Sequence, residues 1–341
     1  MDINIDDFTV FESLLSAHEK LKNAKNIMCS ISGGSDSDII IDILSKSIDI
    51  SKVHFIYCDT GIEYKATKRH LDYLEEIYNI HIERIRPEMT IPIVCREYGQ
   101  PFLSKHVSEM ISRLQRHGFA WVDAPYDDLI QKYPKCSSAL KWWCNAYDDT
   151  SKFNIRRNNW LKEFMLANPP DFAISNKCCH YTKKKVANDY KREHGIDLSI
   201  TGMRKAEGGA RASAYKSCFT EKEGCSEYRP LWWYTDENKR HYEEEFGIHH
   251  SDCYTVYGMK RTGCAGCPFG KHLDQEREII KEYEPQLYKA TDKIFGKTYD
   301  YTRRYRDFVK EMNTEKVREG LEWHMMTGRA LAPLLKTGKI I

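Results

Sequence analysis

The chain has no run of about 18 uncharged apolar residues, the length a membrane-spanning helix needs, so no membrane role is expected. Its opening, MDINIDDFTVFE, is acidic. A signal peptide has a basic start and an apolar stretch, so the expected location is the cytoplasm. A charge excess is missing too: Lys+Arg 52 against Asp+Glu 50 leaves +2. That excludes binding to polyanions by bulk charge and leaves room for a local basic patch. There is no internal repeat and no low-complexity segment; the largest charge clusters, Lys183–Lys185 and Glu243–Glu245, are three residues long. What is present is a 341-residue chain, 41% apolar and 30% charged. Such a chain can bury a sizeable core, which excludes a wholly disordered or collagen-like protein, and its length suggests two domains. Twelve cysteines without export signals read as buried, metal-binding or catalytic thiols, not as a disulfide framework.

Apolar residues at Phe11, Leu14, Leu15, His18 and Leu21 follow helical spacing. Asn26–Ile31 and Val53–Cys58 read as buried strands and His81–Ile85 as a third. Helices are expected from about Asp38 to Lys46 and over Glu63–Tyr78. Strands alternating with helices predict an α/β fold with a parallel, twisted sheet flanked by helices. The expected division is a nucleotide-binding core over 1–87, a mostly helical insertion over 88–175, a second part of the core over 176–270 and a helical C-terminal region over 271–341. The insertion holds a helix at Ser104–Arg116 and aromatic surface from Trp121, Trp142, Trp143 and Trp160. Asp197–Gly202 reads as a returning strand, Tyr234–Phe246 as a charged helix, and the stretch from about Asp274 to Thr327 as helical.

Between the first strand and its helix lies SGGSDS, Ser32–Ser37. Gly33 and Gly34 let backbone N–H groups turn toward an anion, and the following helix aims its N-terminus at the same spot. Ser32, Ser35 and Ser37 add hydroxyls, and Asp36 is a candidate holder of Mg²⁺ on the phosphates. The plainer alternative is a turn with Asp36 as a helix cap. The loop contains no Gly-Lys-Ser/Thr and is not a Walker loop. Further on, ITGMRKAEGGARA carries Gly202, Arg204, Lys205 and Arg211, whose guanidinium groups suit phosphate or sulfate oxygens, with Glu207 to orient one of them. A solvated loop with ordinary ion pairs is the alternative.

Strand–SGGxDS–helix resembles the pyrophosphate loop of the ATP pyrophosphatase superfamily, the adenine nucleotide alpha hydrolases. FIYCDTGIEYKAT (Phe55–Thr67), the arginine segment and RPLWWYTDENKRHY (Arg229–Tyr242) are similar to the "DTG.E...T", "TG.R..E...R" and "P...W...D...Y" stretches of the phosphoadenosine phosphosulfate (PAPS) reductase family. The likeness runs from about residue 26 to residue 270. It implies a Rossmann-like nucleotide fold with Asp59, Thr60 and Gly61 beside the nucleotide at a strand's carboxyl end. It also implies roles for Asp36, Ser37, Arg204 and Arg211 in catalysis.

Cys178 and Cys179 are adjacent, and Cys264 and Cys267 form GCAGCP. Four thiolates suit zinc or an iron–sulfur centre. A cysteine pair followed far downstream by CxxC resembles the [4Fe–4S] motif of assimilatory adenosine phosphosulfate (APS) reductases, which implies that cluster over zinc. Cys225 is a fifth candidate, so Cys179 or Cys225 is left over as a sulfur carrier or a buried thiol; Cys218 is a weaker sixth. A disulfide or redox role for Cys264–Cys267 stays open. Cys29, Cys58 and Cys95 read as core, and Cys136 and Cys144 are given no role. One lysine of Lys183–Lys185 can reach the cluster or the phosphates; the others read as a solvated helix face.

Two departures from the reductases bear on activity. No cysteine follows Cys267, whereas those enzymes use a C-terminal nucleophilic cysteine. The SGGxDS loop is intact, as in the members that cleave ATP. The expectation is an enzyme that cleaves ATP to AMP and pyrophosphate, so activating a substrate such as nucleic acid for sulfur transfer, with a sulfur donor such as a cysteine desulfurase. Two alternatives stand: a sulfonucleotide reductase using another thiol, and a non-catalytic nucleotide- or nucleic-acid-binding protein with a structural metal. The last draws on the basic, aromatic stretch Arg156–Trp160.

Overall fold

The structure, a computed structural model, describes residues 7–208 and 214–327. It divides into two compact units, 1–97 with 177–294 and 98–176 with 295–341. The first is built on a six-stranded sheet in the order β3-β2-β1-β4-β6-β5. Its strands are β1 (Ile27–Ile31), β2 (Val53–Cys58), β3 (Ile82–Ile85), β4 (Leu198–Thr201), β5 (Phe219–Thr220) and β6 (Ser226–Tyr228). All neighbours pair in parallel except β5 with β6. β1 is buried along nearly its whole length, as a parallel strand covered on both faces must be. From β1 the chain moves outward to β2 and β3, then returns to place β4 on the other side of β1. The strand order therefore reverses at β1/β4, and the carboxyl edge at such a reversal is where open α/β sheets bind ligands.

Three helices of this unit matter here: α1 (Phe8–Leu21), α2 (Ser35–Ser47) and α3 (Lys65–Tyr78). In α2, Ile39, Ile40, Ile41, Ile43 and Leu44 are all buried. A helix this apolar can stay in place only between the sheet and other elements. It starts three residues earlier than the apolar run suggests, because Ser35, Asp36 and Ser37 already form its first turn. In α1 the helical period is as expected but the buried face is not. Val10, Ser13, Ala17 and Leu21 face the core, while Phe11 and Leu15 are exposed. Ala17 lets the helix approach closely, and spacing alone could not show which stripe would meet the sheet.

The second unit is helical. It holds the helices Lys105–Arg116, Tyr126–Lys132, Ser137–Trp143 and Leu161–Ala167 around a core of its own. Ser104 caps the first of these, accepting the Val107 N–H at 3.2 Å. Trp142 and Trp143 are fully buried in this core, so they are not the aromatic surface expected from the sequence. Trp143 also donates its indole N–H to the Val122 carbonyl at 2.9 Å. Arg156 and Arg157 are tied to Asp149 and to loop carbonyls. No helix among the described residues is long and apolar enough to cross a membrane.

Trp143→Ala removes a fully buried indole and its hydrogen bond, and is expected to destabilise the protein by about 3–5 kcal/mol. Urea unfolding measures this; a loss under about 1 kcal/mol would contradict the packing described.

Candidate functional site

The turn from β1 into α2 is shaped by its glycines. Gly33 has φ +65°, and a Cβ on it would lie 2.6 Å from Thr67 Cγ2. A Cβ on Gly34 would stand 2.9 Å from Thr262 Oγ1 and 3.1 Å from Tyr254 Oη. Both positions therefore exclude side chains, Gly33 by conformation and both by contact. Gly34 is the N-cap of α2 and offers no capping side chain. The turn is held from within: the Ser32 N–H donates to Ser37 Oγ at 2.9 Å. From outside, the Ser35 N–H donates to Tyr254 Oη at 3.2 Å, and Tyr254 Oη lies 3.3 Å from Thr262 Oγ1.

Cations gather on this loop. Arg204 follows β4 and is nearly buried. Its Nε lies 3.2 Å from Asp36 Oδ1, and its Nη1 donates to Asp236 Oδ1 at 2.8 Å. Lys239, on the helix Asp236–Phe246, puts its ammonium 2.9 Å from the same Asp36 oxygen and hydrogen-bonds Ser35 Oγ. Asp36 Oδ1 and Arg204 Nε are buried and in ion-pair contact, yet neither makes an aligned hydrogen bond. Gly202 is also at the loop: a Cβ there would be 3.4 Å from Asp36 Cβ. Arg211 lies outside the described residues.

Beneath the loop runs a chain of buried charge. Asp38 accepts from His70 Nε2 at 2.9 Å and from His250 Nδ1 at 2.7 Å. His250 Nε2 stands 2.9 Å from Glu243 Oε1, which is 3.8 Å from Lys239 Nζ. Burial opposes charge on His250, but Asp38 and Glu243 outweigh it and raise it to about 9.

After β2, Asp59, Thr60 and Gly61 form a tight turn around one carboxylate. Glu63 accepts the N–H groups of Thr60 at 2.7 Å and Gly61 at 2.9 Å, and the Thr60 hydroxyl as well. Burial, with Asp59 alongside, pushes Glu63 up. Asp59 is held low in spite of its burial by Glu63 and Lys68. The CxxC segment docks on this turn. The Ala265 N–H donates to the Ile62 carbonyl at 2.9 Å, and Thr60 Oγ1 lies 3.5 Å from Cys264 Sγ.

Four thiols act on one another near this turn. Cys178 is pushed well up, first by its hydrogen bond with Cys179 and then by burial, with Cys95 and Cys267 adding to it. Cys267 is raised to about 12 by burial and by Cys264 and Cys179. The Cys264 sulfur, with Cys179, holds the Lys183 ammonium above its ordinary value against burial. Cys178, Cys179, Cys264 and Cys267 therefore share one neighbourhood, and Lys183 joins them. Cys95 and Cys58, read from sequence as core residues, lie within the same field: burial and then Cys179 and Cys264 act on Cys95, burial and then Lys183 and Cys264 on Cys58. Cys225 does not join. It precedes β6 at the opposite edge of the sheet and packs with Met28, Ile56, Tyr190 and Ile196. Among the described residues, no three His, Cys, Asp or Glu side chains stand close enough to hold a single metal ion as they are. In kind, the donors fit a thiolate-bound centre: four thiols from two segments, with an ammonium to offset their charge.

Loop and thiols are joined by a short piece of chain. Thr262 touches the loop and Cys264 touches Thr60, so a single residue, Gly263, separates them, at most ~7 Å of extended backbone between the two Cα atoms. Sequence reasoning missed Lys239, Glu63, Tyr254 and Thr262. Glu63 stood in the quoted "DTG.E" stretch and Lys239 in the charged helix, but nothing local distinguishes either from a surface residue.

Residues 26–116 match the family model described as phosphoadenosine phosphosulfate reductase domain. That stretch, about a quarter of the chain, is similar to this domain. The match takes in the loop and Asp59–Gly61. The arginine segment and the CC and CxxC motifs lie beyond it. An uncharacterized protein of Methanocaldococcus jannaschii is 26% identical over 154 residues, which is 45% of this chain and 30% of that protein, so the match spans less than a third of its length. Among solved structures, a PAPS reductase of Candida auris in complex with phosphate is 14% identical over 77% of this chain and 98% of its own, with a TM-score of 0.40. A tRNA thiolase of Methanococcus maripaludis with its [4Fe-4S] cluster is 14% identical over 89% of this chain and 79% of its own, with a TM-score of 0.36.

The His250 network sets a pH dependence. The folded-state value of about 9 lies above the ordinary 6.5, so its contribution is complete below about pH 6.5 and is lost as pH rises through 9. Its size is on the order of 2 kcal/mol once discounted for partial exposure. Urea unfolding at pH 6 and pH 9.5 is expected to show this difference in the wild type and a flatter profile in His250→Gln. Equal slopes would contradict it.

Proposed function

We propose that the protein is a PAPS reductase-like enzyme that cleaves ATP to AMP and pyrophosphate to activate a substrate for sulfur transfer. The observation that carries this reading is the junction of an intact SGGSDS loop, contacted by Arg204 and Lys239, with the CxxC segment whose Cys264 lies two positions after Thr262. In this reading an oxygen of the acceptor, nucleic acid being the proposed class, attacks the α-phosphorus of ATP. The bond to the bridging oxygen breaks and pyrophosphate leaves; sulfide-level sulfur then bonds to the acceptor atom as its bond to the adenylated oxygen breaks, and AMP leaves. The loop amides, Ser32, Ser35 and Ser37 take the leaving phosphates, and Arg204 and Arg211 meet the growing charge. Gly202 and Asp59–Gly61 line the nucleotide. Asp36 would hold Mg²⁺, which would neutralise the pyrophosphate; its unaligned buried oxygen fits that use. Cys178, Cys179, Cys264 and Cys267 would hold a [4Fe–4S] cluster, which when bound supplies redox or sulfide chemistry beside the activated acceptor. A sulfur donor such as a cysteine desulfurase, together with a two-electron reductant, would replenish the sulfide.

The reductase alternative needs a nucleophile other than a C-terminal cysteine. Cys58 and Cys95 add two thiols beside the four, but burial pushes both up, against the thiolate form such an attack requires. Sulfite release from APS or PAPS with thioredoxin separates the two readings.

Anaerobically purified protein is expected to contain about four irons per chain and to release pyrophosphate from ATP·Mg²⁺ in the presence of bulk tRNA. Asp36→Ala is expected to lower that release by about 100-fold or more. Unchanged release in the variant would overturn the assignment of the loop, and zinc in place of iron would overturn the cluster. Cys264→Ser is expected to lose iron while still binding ATP.

A further inference from the structure

We infer that Lys239 is a phosphate-binding residue of this site, delivered to the loop from the helix Asp236–Phe246 to contact the pyrophosphate portion of the nucleotide. The inference rests on reading SGGSDS as a phosphate loop. The loop SGGSDS contains no Lys or Arg. Lys239 brings a cation to it from outside. Its ammonium hydrogen-bonds Ser35 Oγ and lies 2.9 Å from Asp36 Oδ1, on the first turn of α2.

The geometry of its helix is built to hold it there. Thr235 and Asn238 form a capping box that fixes where the helix begins. Asp236 and Lys239, three residues apart, share one face. Asp236 pairs with Arg204 at 2.8 Å while Lys239 pairs with Asp36, so one bond ties this helix end to the segment after β4 and the other to the loop. Behind Lys239, Glu243 lies 3.8 Å from the ammonium and is itself engaged by His250 at 2.9 Å. The ammonium is thus flanked by carboxylates but not consumed by a close bond to Glu243. Its neighbour Arg204 is nearly buried, with an Nε that makes no aligned hydrogen bond. Two cations converge on Asp36 at the start of a helix, and a polyphosphate placed there can take over their bonds from the carboxylates that hold them.

The ligand class that follows is a di- or triphosphate, distinguished from a monophosphate by the ammonium. The test is calorimetric binding of inorganic pyrophosphate with Mg²⁺, and separately of AMP, to the full chain and to Lys239→Ala, Lys239→Gln and Lys239→Arg. Loss of one charge-assisted hydrogen bond is expected to weaken pyrophosphate about 10- to 100-fold in the first two variants. Lys239→Arg is expected to recover most of it, and AMP affinity to stay within about twofold. Equal weakening of pyrophosphate and AMP would assign Lys239 a purely structural role and overturn the inference. Unchanged pyrophosphate binding in Lys239→Ala, with binding lost in Ser37→Ala, would overturn the lysine's role alone. A wild-type protein that fails to bind pyrophosphate would bring down the loop reading and this inference with it.

Discussion

The site depends on a steric constraint at one turn. Gly33 and Gly34 must be without side chains so that Thr67 can close on one and Tyr254 with Thr262 on the other. That close approach brings three distant parts of the chain to the carboxyl edge of the sheet. Thr67 belongs to the stretch that begins with Asp59. Thr262 leads directly into Cys264. Arg204 and Lys239 then reach Asp36 from the remaining side. A side chain at either glycine would push these partners away and separate the thiols from the loop.

Electrostatics then determine what the edge can hold. Cations gather on the loop and thiols gather beside it, and each group carries its own compensation. Asp36, Asp236 and Glu243 offset Arg204 and Lys239, while Lys183 offsets the field of Cys264 and Cys179. Charges buried to this extent are tolerated only when paired, and pairs that a ligand can displace are a common property of binding sites. The Glu63 carboxylate has a different task. By collecting the N–H groups of Thr60 and Gly61 it fixes the turn on which the CxxC segment rests.

Local signals in the sequence were enough for the parallel sheet, since short apolar runs between helical stretches, such as Asn26–Ile31 and Val53–Cys58, have few other solutions. The glycine loop was legible for the same reason: its requirement is a backbone one and shows in two adjacent letters. What could not be read was tertiary. Lys239 is one charged residue in a charged helix, and only the packing of that helix makes it a neighbour of Ser35. Cys58 and Cys95 sit in apolar surroundings that look like core, and only the crossing of chain segments sets them beside Cys264 and Cys179. Cys225 looked like a fifth member of the set by residue type, yet the parallel pairing of β4 with β6 carries it to the opposite edge. The buried stripe of α1 and the burial of Trp142 and Trp143 were hidden for a related reason, since spacing gives a period but not the face.

The central claim is that loop and thiols form one site. It is tested most directly by titrating ATP·Mg²⁺ into anaerobically purified protein while following both nucleotide binding and the visible absorption and electron paramagnetic resonance of the proposed thiol-bound centre. The account predicts that the spectra change in step with saturation by ATP. Saturating ATP binding with both spectra unmoved would contradict it.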